Sequence, residues 1–576
     1  MNIKKILSKY IYNAMIQASI PDSYNVVLRK CKQVTFGHYQ VNGIITAANK
    51  LKLNPKHLAI KVIKNINNID IIKKMEVSQF GHINIFINEI WLSKQMNMIL
   101  ISSTLGFNKK IKIKNIVVDY SGPNIAKEMH VGHLRSTVLG DAIVRILTFV
   151  GHNVIPVNHI GDWGTQFGML IAFLTIYKQN INKELSISNL DILYQQAQKK
   201  YINDINFAKK SRNYVVKLQN QDPFCLKIWK KLINITMENN YQLYNTLNIL
   251  LNSAHTMGES TYNNMLPDII NDLQKKGLAI ISNGAVIIPI KYNDLISDNI
   301  IIIKKSDGAY LYATTDIACI KYRAEYLHAD RIIYYIDARQ SQYLKNIFYI
   351  VKKAKYVKKN VQLEHHVFGM ILNKNSKPYK TREGHNIKLQ YLINEAISRS
   401  KTIILNKQPN IKQHKLNNLA QIIGVGAIKY NDLSKNRMSN YIFNWNEILN
   451  FEGNTSLYIQ YAYVRAISIL NKSNMSIKNI KDYTIIFTNQ NEINLAILFL
   501  EFEEIILQVI EKGLPHILCN WLYKIAVLFS TFYENCNILN NTNNNTKISR
   551  LKIIFITSQF LKKGLNMLGI QTIQNM

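Results

Sequence analysis

Hydrophobic positions change their period along this chain, and the changes divide it. Near the N-terminus Ile3, Ile6, Leu7, Tyr10 and Ala14 recur at helical spacing with lysines between them, while Ile83-Asn84-Ile85-Phe86-Ile87 alternates as a strand does. A short continuous β-branched run, Ile116-Val117-Val118, is of the kind buried in parallel sheets. A turn follows, then a helix from about His133, whose Leu134, Val138, Ala142, Ile146 and Val150 recur every four residues. Gly151 ends it, and residues 154–157 form the next strand. Strand, helix and strand so close together make a βαβ unit, which predicts a doubly wound α/β domain on a parallel sheet. The rhythm returns later as a strand over 310–314, a helix over 316–327 and a strand over 331–336. Past residue 450 the pattern is almost wholly helical, with amphipathic runs from Leu457, Glu492 and Pro515, and an Asn/Thr-rich loop over 537–547. The expected parse is an α+β domain over 1–110, an α/β domain over 111–450 and an all-α domain over 451–576.

Composition agrees with a folded chain. At 576 residues, 47% hydrophobic and 19% charged, it is too long for one core and too apolar to be disordered. No apolar run is long enough to span a bilayer; the best candidate, over 493–510, is broken by Glu501, Glu503 and Glu504. The lysine-flanked N-terminal helix imitates a targeting peptide but lacks arginine and runs on into folded-looking sequence, so it is read as the first helix of a domain. Five scattered cysteines with no CxxC pair suggest neither a disulfide framework nor a cysteine zinc site, and fit a reducing cytoplasm. The net charge of +35 points to a polyanionic partner such as nucleic acid, although a drift towards Lys, Asn and Ile would produce the same excess.

The segment with most chemistry is Val118-Asp119-Tyr120-Ser121-Gly122-Pro123-Asn124-Ile125-Ala126-Lys127-Glu128-Met129-His130-Val131-Gly132-His133. It follows the first α/β strand, where open parallel sheets bind ligands. His130 and His133 are three apart at the mouth of a helix, Gly132 removes a side chain so that a base or ribose can approach, and the helix N-terminus offers amides to phosphate. Zinc ligation by the two histidines, with His152 or His159, is a rival reading that lacks an HExxH or cysteine partner. A purely structural pair is the other, since HxGH alone is a weak motif.

The longer string from Asp119 through Ser136 resembles the arginyl-tRNA synthetases, in which HxGH is the "HIGH" signature of class I aminoacyl-tRNA synthetases. Collinear matches follow in Gly161-Asp162-Trp163-Gly164-Thr165-Gln166-Phe167-Gly168, Met257-Gly258-Glu259-Ser260, Tyr310-Leu311-Tyr312-Ala313-Thr314-Thr315-Asp316 and Phe451-Glu452-Gly453-Asn454-Thr455, and the resemblance reaches Gly564 to Met576. It implies a Rossmann-like catalytic domain, an N-terminal domain that grips the tRNA and a C-terminal anticodon-binding domain. It also implies ATP-dependent activation of L-arginine and its transfer to tRNA(Arg), with release of pyrophosphate and AMP.

From the resemblance, residues 123–133 form the HIGH motif, with Gly132, His130 and His133 on ATP. A lysine-rich loop departing from KMSKS supplies Lys377, Lys380 and Arg382, and Lys127 is a candidate to replace the missing lysine. The arginine pocket would comprise Asp119, Asn124, Tyr312, Asp316 and Gln340, with Asp316 meeting the guanidinium fork. Candidate tRNA contacts are His82, standing where relatives usually have an aromatic, with Asn84, Tyr461, Arg465 and the terminal Met576. The Tyr458, Tyr461 and Tyr463 cluster also fits helix packing. Magnesium is expected only as part of the ATP complex, with no dedicated metal site, and the protein is expected to be a cytoplasmic monomer without membrane contact. The alternatives are an inactive tRNA-holding relative, or another class I ligase sharing only the nucleotide fold.

Overall fold

The computed structural model describes residues 2–31, 33–66, 69–109, 111–177, 186–292, 295–379, 387–476 and 480–573. The N-terminal region is a four-stranded antiparallel sheet, ordered Leu28–Lys30, Tyr39–Val41, Ile83–Ile87, Ile72–Val77. The helix Ile3–Gln17 buries Ile3, Leu7 and Ala14 of the expected stripe, whereas Ile6 is half-buried, Tyr10 is exposed, and Ile11 and Met15 complete the buried face.

The middle of the chain carries a five-stranded parallel sheet. Its strands are β1 (Asn115–Asp119), β2 (Asn153–Ile160), β3 (Thr256–Gly258), β4 (Arg331–Tyr334) and β5 (Gln362–His365), and they lie side by side in the order β5-β4-β1-β2-β3. The helix α1 (Val131–Val150) crosses from β1 to β2 and buries Leu134, Val138, Ala142, Ile146 and Val150. It starts two residues before His133, with His130 as its N-cap. The chain order reverses on either side of β1, so the sheet is doubly wound and its crevice opens beyond Asp119.

Two expectations are corrected. Residues 310–314 are not a strand: α2 (Tyr312–Glu325) begins inside them, and only Tyr310 makes a bridge, with Lys304. Thr314 explains the change, because its hydroxyl donates to the Ile303 carbonyl at 2.5 Å and ties the first turn of α2 to the preceding ribbon, overriding its β-propensity. The loop over 537–547 is shorter than expected. The helix Asn544–Met567 already starts there, with the Asn543 side chain accepting from the Thr546 amide at 3.1 Å, a place where asparagine favours helix initiation.

Beyond residue 450 the helices Ser456–Lys472, Gln490–Phe499, Phe502–Lys512, His516–Asn535 and Asn544–Met567 form the last layer. Among the described residues no helix is long and apolar enough to cross a membrane. The end of Phe502–Lys512 docks on the parallel sheet. Its unpaired carbonyls receive Arg331 (to Ile510, 2.9 Å) and Arg437 (to Gly513, 2.9 Å, and Lys512, 3.3 Å), which complement the negative end of the helix. Arg331 is fixed by a two-pronged pair with Glu364 at 2.6 and 2.7 Å. Burial opposes that carboxylate's charge, yet hydrogen bonds from His366 and Arg331 hold its pKa down at about 2.

Gly513 closes this junction at φ 61°, and a Cβ there would lie 2.1 Å from His366 Nδ1. Gly513→Ala is expected to lower stability by about 1–3 kcal/mol through overpacking and backbone strain. The check is the urea midpoint of the intact chain, and an unchanged midpoint would show that the junction yields.

Candidate active site

The turn after β1 is wound through left-handed backbone at Ser121 (φ 74°), Gly122 (φ 52°) and Ala126 (φ 63°). For the two residues with side chains such backbone costs about 1–3 kcal/mol each, so it persists only where the surroundings fix it. They do. The Ser121 amide donates to Ser136 Oγ (2.9 Å), Gly122 to Asn158 Oδ1 (3.0 Å) and Ala126 to Thr236 Oγ1 (3.1 Å). Ser136 in turn donates to the Tyr335 carbonyl at 2.6 Å, which joins α1 to the end of β4.

The histidines are locked by the helix mouth itself. The Gly132 amide donates to His130 Nδ1 at 3.1 Å, the His130 amide donates to His133 Nδ1 at 3.1 Å, and the rings lie 3.9 Å apart. An Nδ1 that accepts from an amide cannot carry a proton, so the proton of each neutral ring sits on Nε2. Both Nε2–H groups are therefore set as donors. Burial, with the neighbouring imidazole, pushes His133 down to about 3. Burial, Lys127 and Arg339 lower His130 as well. Gly132 has a tighter reason than ligand approach: a Cβ would lie 2.8 Å from His130 Cε1 and expel that ring.

Across the same sheet edge is an acceptor-rich pocket. Asp316, on the second turn of α2, accepts from the Tyr343 hydroxyl and lies 3.7 Å from His159 Nε2. His159 Nδ1 meets the Met257 carbonyl at 3.0 Å; a carbonyl only accepts, so Nδ1 holds the proton and Nε2 of the neutral ring is a bare lone pair. Among the described residues that Nε2 has no hydrogen-bond partner. Glu259, just past β3, has no cationic partner among the described residues; burial and the nearby carboxylates of Asp316 and Asp162 push it up to about 8. Asp162 is spoken for by the Ser260 amide (2.8 Å) and hydroxyl (2.6 Å). Two carboxyl groups converging in one pocket suit a planar cation with several N–H donors, which would favour the ionised form of Glu259. The exposed Tyr312 flanks them, its ring 5.2 Å from that of Tyr343.

Not every expected residue is free to act there. Asp119 is buried with its Oδ2 committed to Arg323 Nη2 at 2.7 Å. Within the HIGH motif Pro123, Ile125, Ala126, Met129 and Val131 are buried supports, and Asn124 is exposed. Glu128 binds Lys388 (3.0 Å) and Ser188 (2.5 Å), while Lys127 Nζ lies 4.0 Å over the ring of Tyr194. Gln340 is exposed at the end of the turn Ala338–Gln340. Lys377 is exposed on a hairpin over residues 371–379. Lys380 and Arg382 lie outside the described residues. The chain returns at Ile387, whose carbonyl accepts from the Val131 amide at 2.8 Å, while the Leu389 amide donates to Met129 at 2.9 Å. The lysine-bearing segment therefore rejoins the fold directly beside His130. In the rival zinc reading His152 was a ligand, but its Nδ1 accepts from the Lys114 amide at 3.3 Å.

The outlying candidates fare unevenly. Asn84 lies on an inner strand of the N-terminal sheet, on the face opposite the core residues Ile83 and Ile85, and its side chain is covered, accepting from Gln40 Nε2 at 3.0 Å. His82 is half-buried, whereas Phe80, two residues earlier at the turn, is 76% exposed. Tyr463 is buried and Tyr458 packs against Tyr523, but Tyr461 is exposed. Arg465 donates to the Tyr461 hydroxyl at 2.9 Å and lies 4.7 Å over Tyr533, in a cleft of about 810 Å³ that also takes in Lys407 and Lys472. Met576 lies outside the described residues.

The chain matches the family model of class I tRNA synthetase (R) catalytic domains over residues 95–445, the arginyl tRNA synthetase N-terminal domain over 1–87 and the DALR anticodon-binding domain over 459–576. It belongs to the arginyl-tRNA synthetase family. It is 54% identical to the arginine–tRNA ligase of Buchnera aphidicola subsp. Acyrthosiphon pisum (strain Tuc7) and 50% identical to that of Blochmanniella pennsylvanica, each over 100% of both chains. Its structure is similar to the arginyl-tRNA synthetase of Plasmodium falciparum (TM-score 0.86, 32% identity, 100% of this chain and 99% of that one). The Thermus thermophilus enzyme shares the fold (TM-score 0.80, 20% identity, 99% and 100%).

Sequence reasoning in this family singled out the histidines and Asp316, gave no role to Glu259 or Tyr343, and considered His159 only as a zinc ligand in the rival reading. Glu259 stood inside a matched motif, so its signal was present. Tyr343 carried none, since only the turn Ala338–Gln340 brings it to Asp316.

These ionisations predict two pH profiles. Burial lowers both imidazoles, His133 to about 3, so turnover should show no limb from His133 near pH 6.5. A cationic substrate favours the Glu259 carboxylate, so its KM should fall as pH rises towards about 8, by at most about tenfold per unit. Glu259→Gln should flatten that dependence, and a limb that survives in the variant would assign it elsewhere.

Proposed function

We propose that this chain is an arginine–tRNA ligase that activates L-arginine with ATP and transfers it to the terminal ribose of tRNA(Arg), releasing pyrophosphate and AMP. Full-length likeness to arginine–tRNA ligases carries the reaction, and the pairing of two Nε2–H donors with an acceptor-only pocket carries the residue roles. The arginine carboxylate attacks the α-phosphate and pyrophosphate leaves. His130 and His133 donate through Nε2 to phosphate oxygens as charge builds in the transition state, and neither acts as a base. Lys127, Lys377, Lys380 and Arg382 supply positive charge on the pyrophosphate side. Magnesium arrives with the triphosphate, as part of the substrate complex.

At the other end of the crevice Asp316, Glu259 and His159 Nε2 receive the guanidinium, with Tyr312 beside it. Asn124 and Gln340 serve the backbone end of the arginine, and Asp119 acts from below through Arg323. A neutral side chain would leave the carboxylates buried and unpaired, which rejects it without an editing step. On the tRNA, Tyr461 and Arg465, with Tyr533 and Met576, form the anticodon face, where aromatic and guanidinium planes stack on splayed bases. In the N-terminal domain the exposed Phe80 takes the stacking place first considered for His82. The working parse remains 1–110, 111–450 and 451–576, in a cytoplasmic monomer. The reading of an inactive relative is set aside, because the imidazole pair and the acid pocket are both in place.

Arginine-dependent ATP–pyrophosphate exchange, run with and without tRNA, tests this. His133→Ala should lower kcat by roughly 10²–10³ with little change in arginine KM. Asp316→Asn and Glu259→Gln should each raise arginine KM by about 30- to 1000-fold, the equivalent of roughly 2–4 kcal/mol. Tight tRNA binding without exchange under any condition would overturn the proposal.

A further inference from the structure

One buried lysine joins parts of the chain that the reaction must coordinate. Lys429, in the helix Gln413–Leu433, is fully buried, and its ammonium donates to the Leu247 carbonyl (2.7 Å), the Gly569 carbonyl (2.8 Å) and, more weakly, the Asn248 carbonyl (3.3 Å). A buried ammonium without a carboxylate in hydrogen-bond contact is costly. Its nearest carboxylate, Asp141 Oδ2, is 3.9 Å away and fully buried on α1. Asp141 binds the Leu250 amide (2.7 Å) and Arg145 Nε (2.8 Å), and Arg145 reaches the Asn248 carbonyl (2.7 Å). Burial pushes Lys429 down to about 7 against the pull of Asp141. Three carbonyls call for three N–H donors, which the ammonium form supplies, so the group ties all three together at once.

Three segments meet on this knot. The first is α1, whose N-terminus carries His130 and His133. The second is the stretch from Leu247 to Leu250, which leads into β3 and Glu259. The third is the C-terminal tail: Gly569 has φ 68°, and a Cβ on it would lie 2.6 Å from Lys429 Nζ and 2.8 Å from Asp141 Oδ2. That tail is clamped by Gln460, which donates to the Gln571 carbonyl (2.6 Å) and accepts from the Ile573 amide (3.3 Å). Gln460 is buried and immediately precedes Tyr461 on the helix of the anticodon face.

We propose that Lys429 is a positioning residue that transmits the placement of the C-terminal tail to the histidine helix and to the segment bearing Glu259, so that tRNA held at the far end sets the geometry of arginine activation. This rests on the ligase reading above and adds a residue and a route to it. The tail cannot shift without moving the Gly569 carbonyl, and Lys429 cannot follow without releasing Leu247 or approaching Asp141.

The test is tRNA-dependent pyrophosphate exchange by the full chain carrying Lys429→Met, Gln460→Leu or both, with arginine KM, ATP KM and tRNA Kd measured alongside. Each single variant should lose roughly tenfold in kcat, within the five- to 150-fold range of ordinary site-to-site coupling, while KM and Kd stay within about threefold. The double variant should be no worse than the single ones, because sites in one chain of contacts are not additive whereas independent packing defects are. Full turnover in Lys429→Met, additive losses, or a loss accounted for by tRNA Kd would each overturn the route. If Lys429→Met does not fold, Gln460→Leu with Gly569→Ala decides on the same criteria. Absence of exchange in the unmutated chain would sink the ligase reading itself, whereas an active parent with active variants sinks only this inference.

Discussion

The active site depends on two backbone amides at the mouth of one helix. By donating to Nδ1 of His130 and of His133, they settle which nitrogen of each ring carries the proton, fix the ring planes and consume donors that a helix N-terminus would otherwise leave unpaired. The arrangement needs Gly132, since any side chain there would occupy the place of the His130 ring. It needs the left-handed turn through Ser121, Gly122 and Ala126, which brings the chain from the end of β1 back to the helix mouth. That turn in turn needs Ser136, Asn158 and Thr236, contributed by α1, β2 and the helix Pro223–Thr246.

Opposite lies the complement: carboxyl groups with no cationic side chain paired to them among the described residues, other than His159 if protonated. His159 faces Asp316 with a lone pair, and Glu259 is burdened by two neighbouring carboxylates. Such a pocket is electrostatically incomplete by itself, and in the proposed function a guanidinium would complete it. Arg323 limits the imbalance by neutralising Asp119 beneath, so that the acidity is concentrated where the substrate enters.

The helical domain is joined to this machinery by charge placed on helix ends. Arg331 and Arg437 take the terminal carbonyls of Phe502–Lys512, and Lys429 takes those at the ends of Pro223–Thr246 and Asn544–Met567. Carbonyls at helix ends are strong acceptors in fixed positions, so cations docked on them orient whole helices. Arg135 extends the pattern: buried on α1, it binds the Gly369 and Ser439 carbonyls at 2.9 Å and anchors the base of the lysine-bearing hairpin.

The sequence determined by itself whatever depends on local period and on a contiguous motif. The buried stripe of α1, the strands around it, the helical region past residue 450 and the HxGH turn were legible because each is written in neighbouring residues. Propensity misled where a single tertiary bond decided, as when Thr314 anchored α2 to Ile303 in a stretch that reads as a strand. Only the folded structure could bring His159, Glu259 and Tyr343 to Asp316, because they come from β2, the end of β3 and the helix Ser341–Lys353. Nor could spacing reveal that Gln40 covers Asn84 or that a lone lysine at 429 holds the C-terminal segment, for burial and long-range pairing are properties of the assembled layers. Local chemistry named the parts, and the sheet edge decided which of them meet.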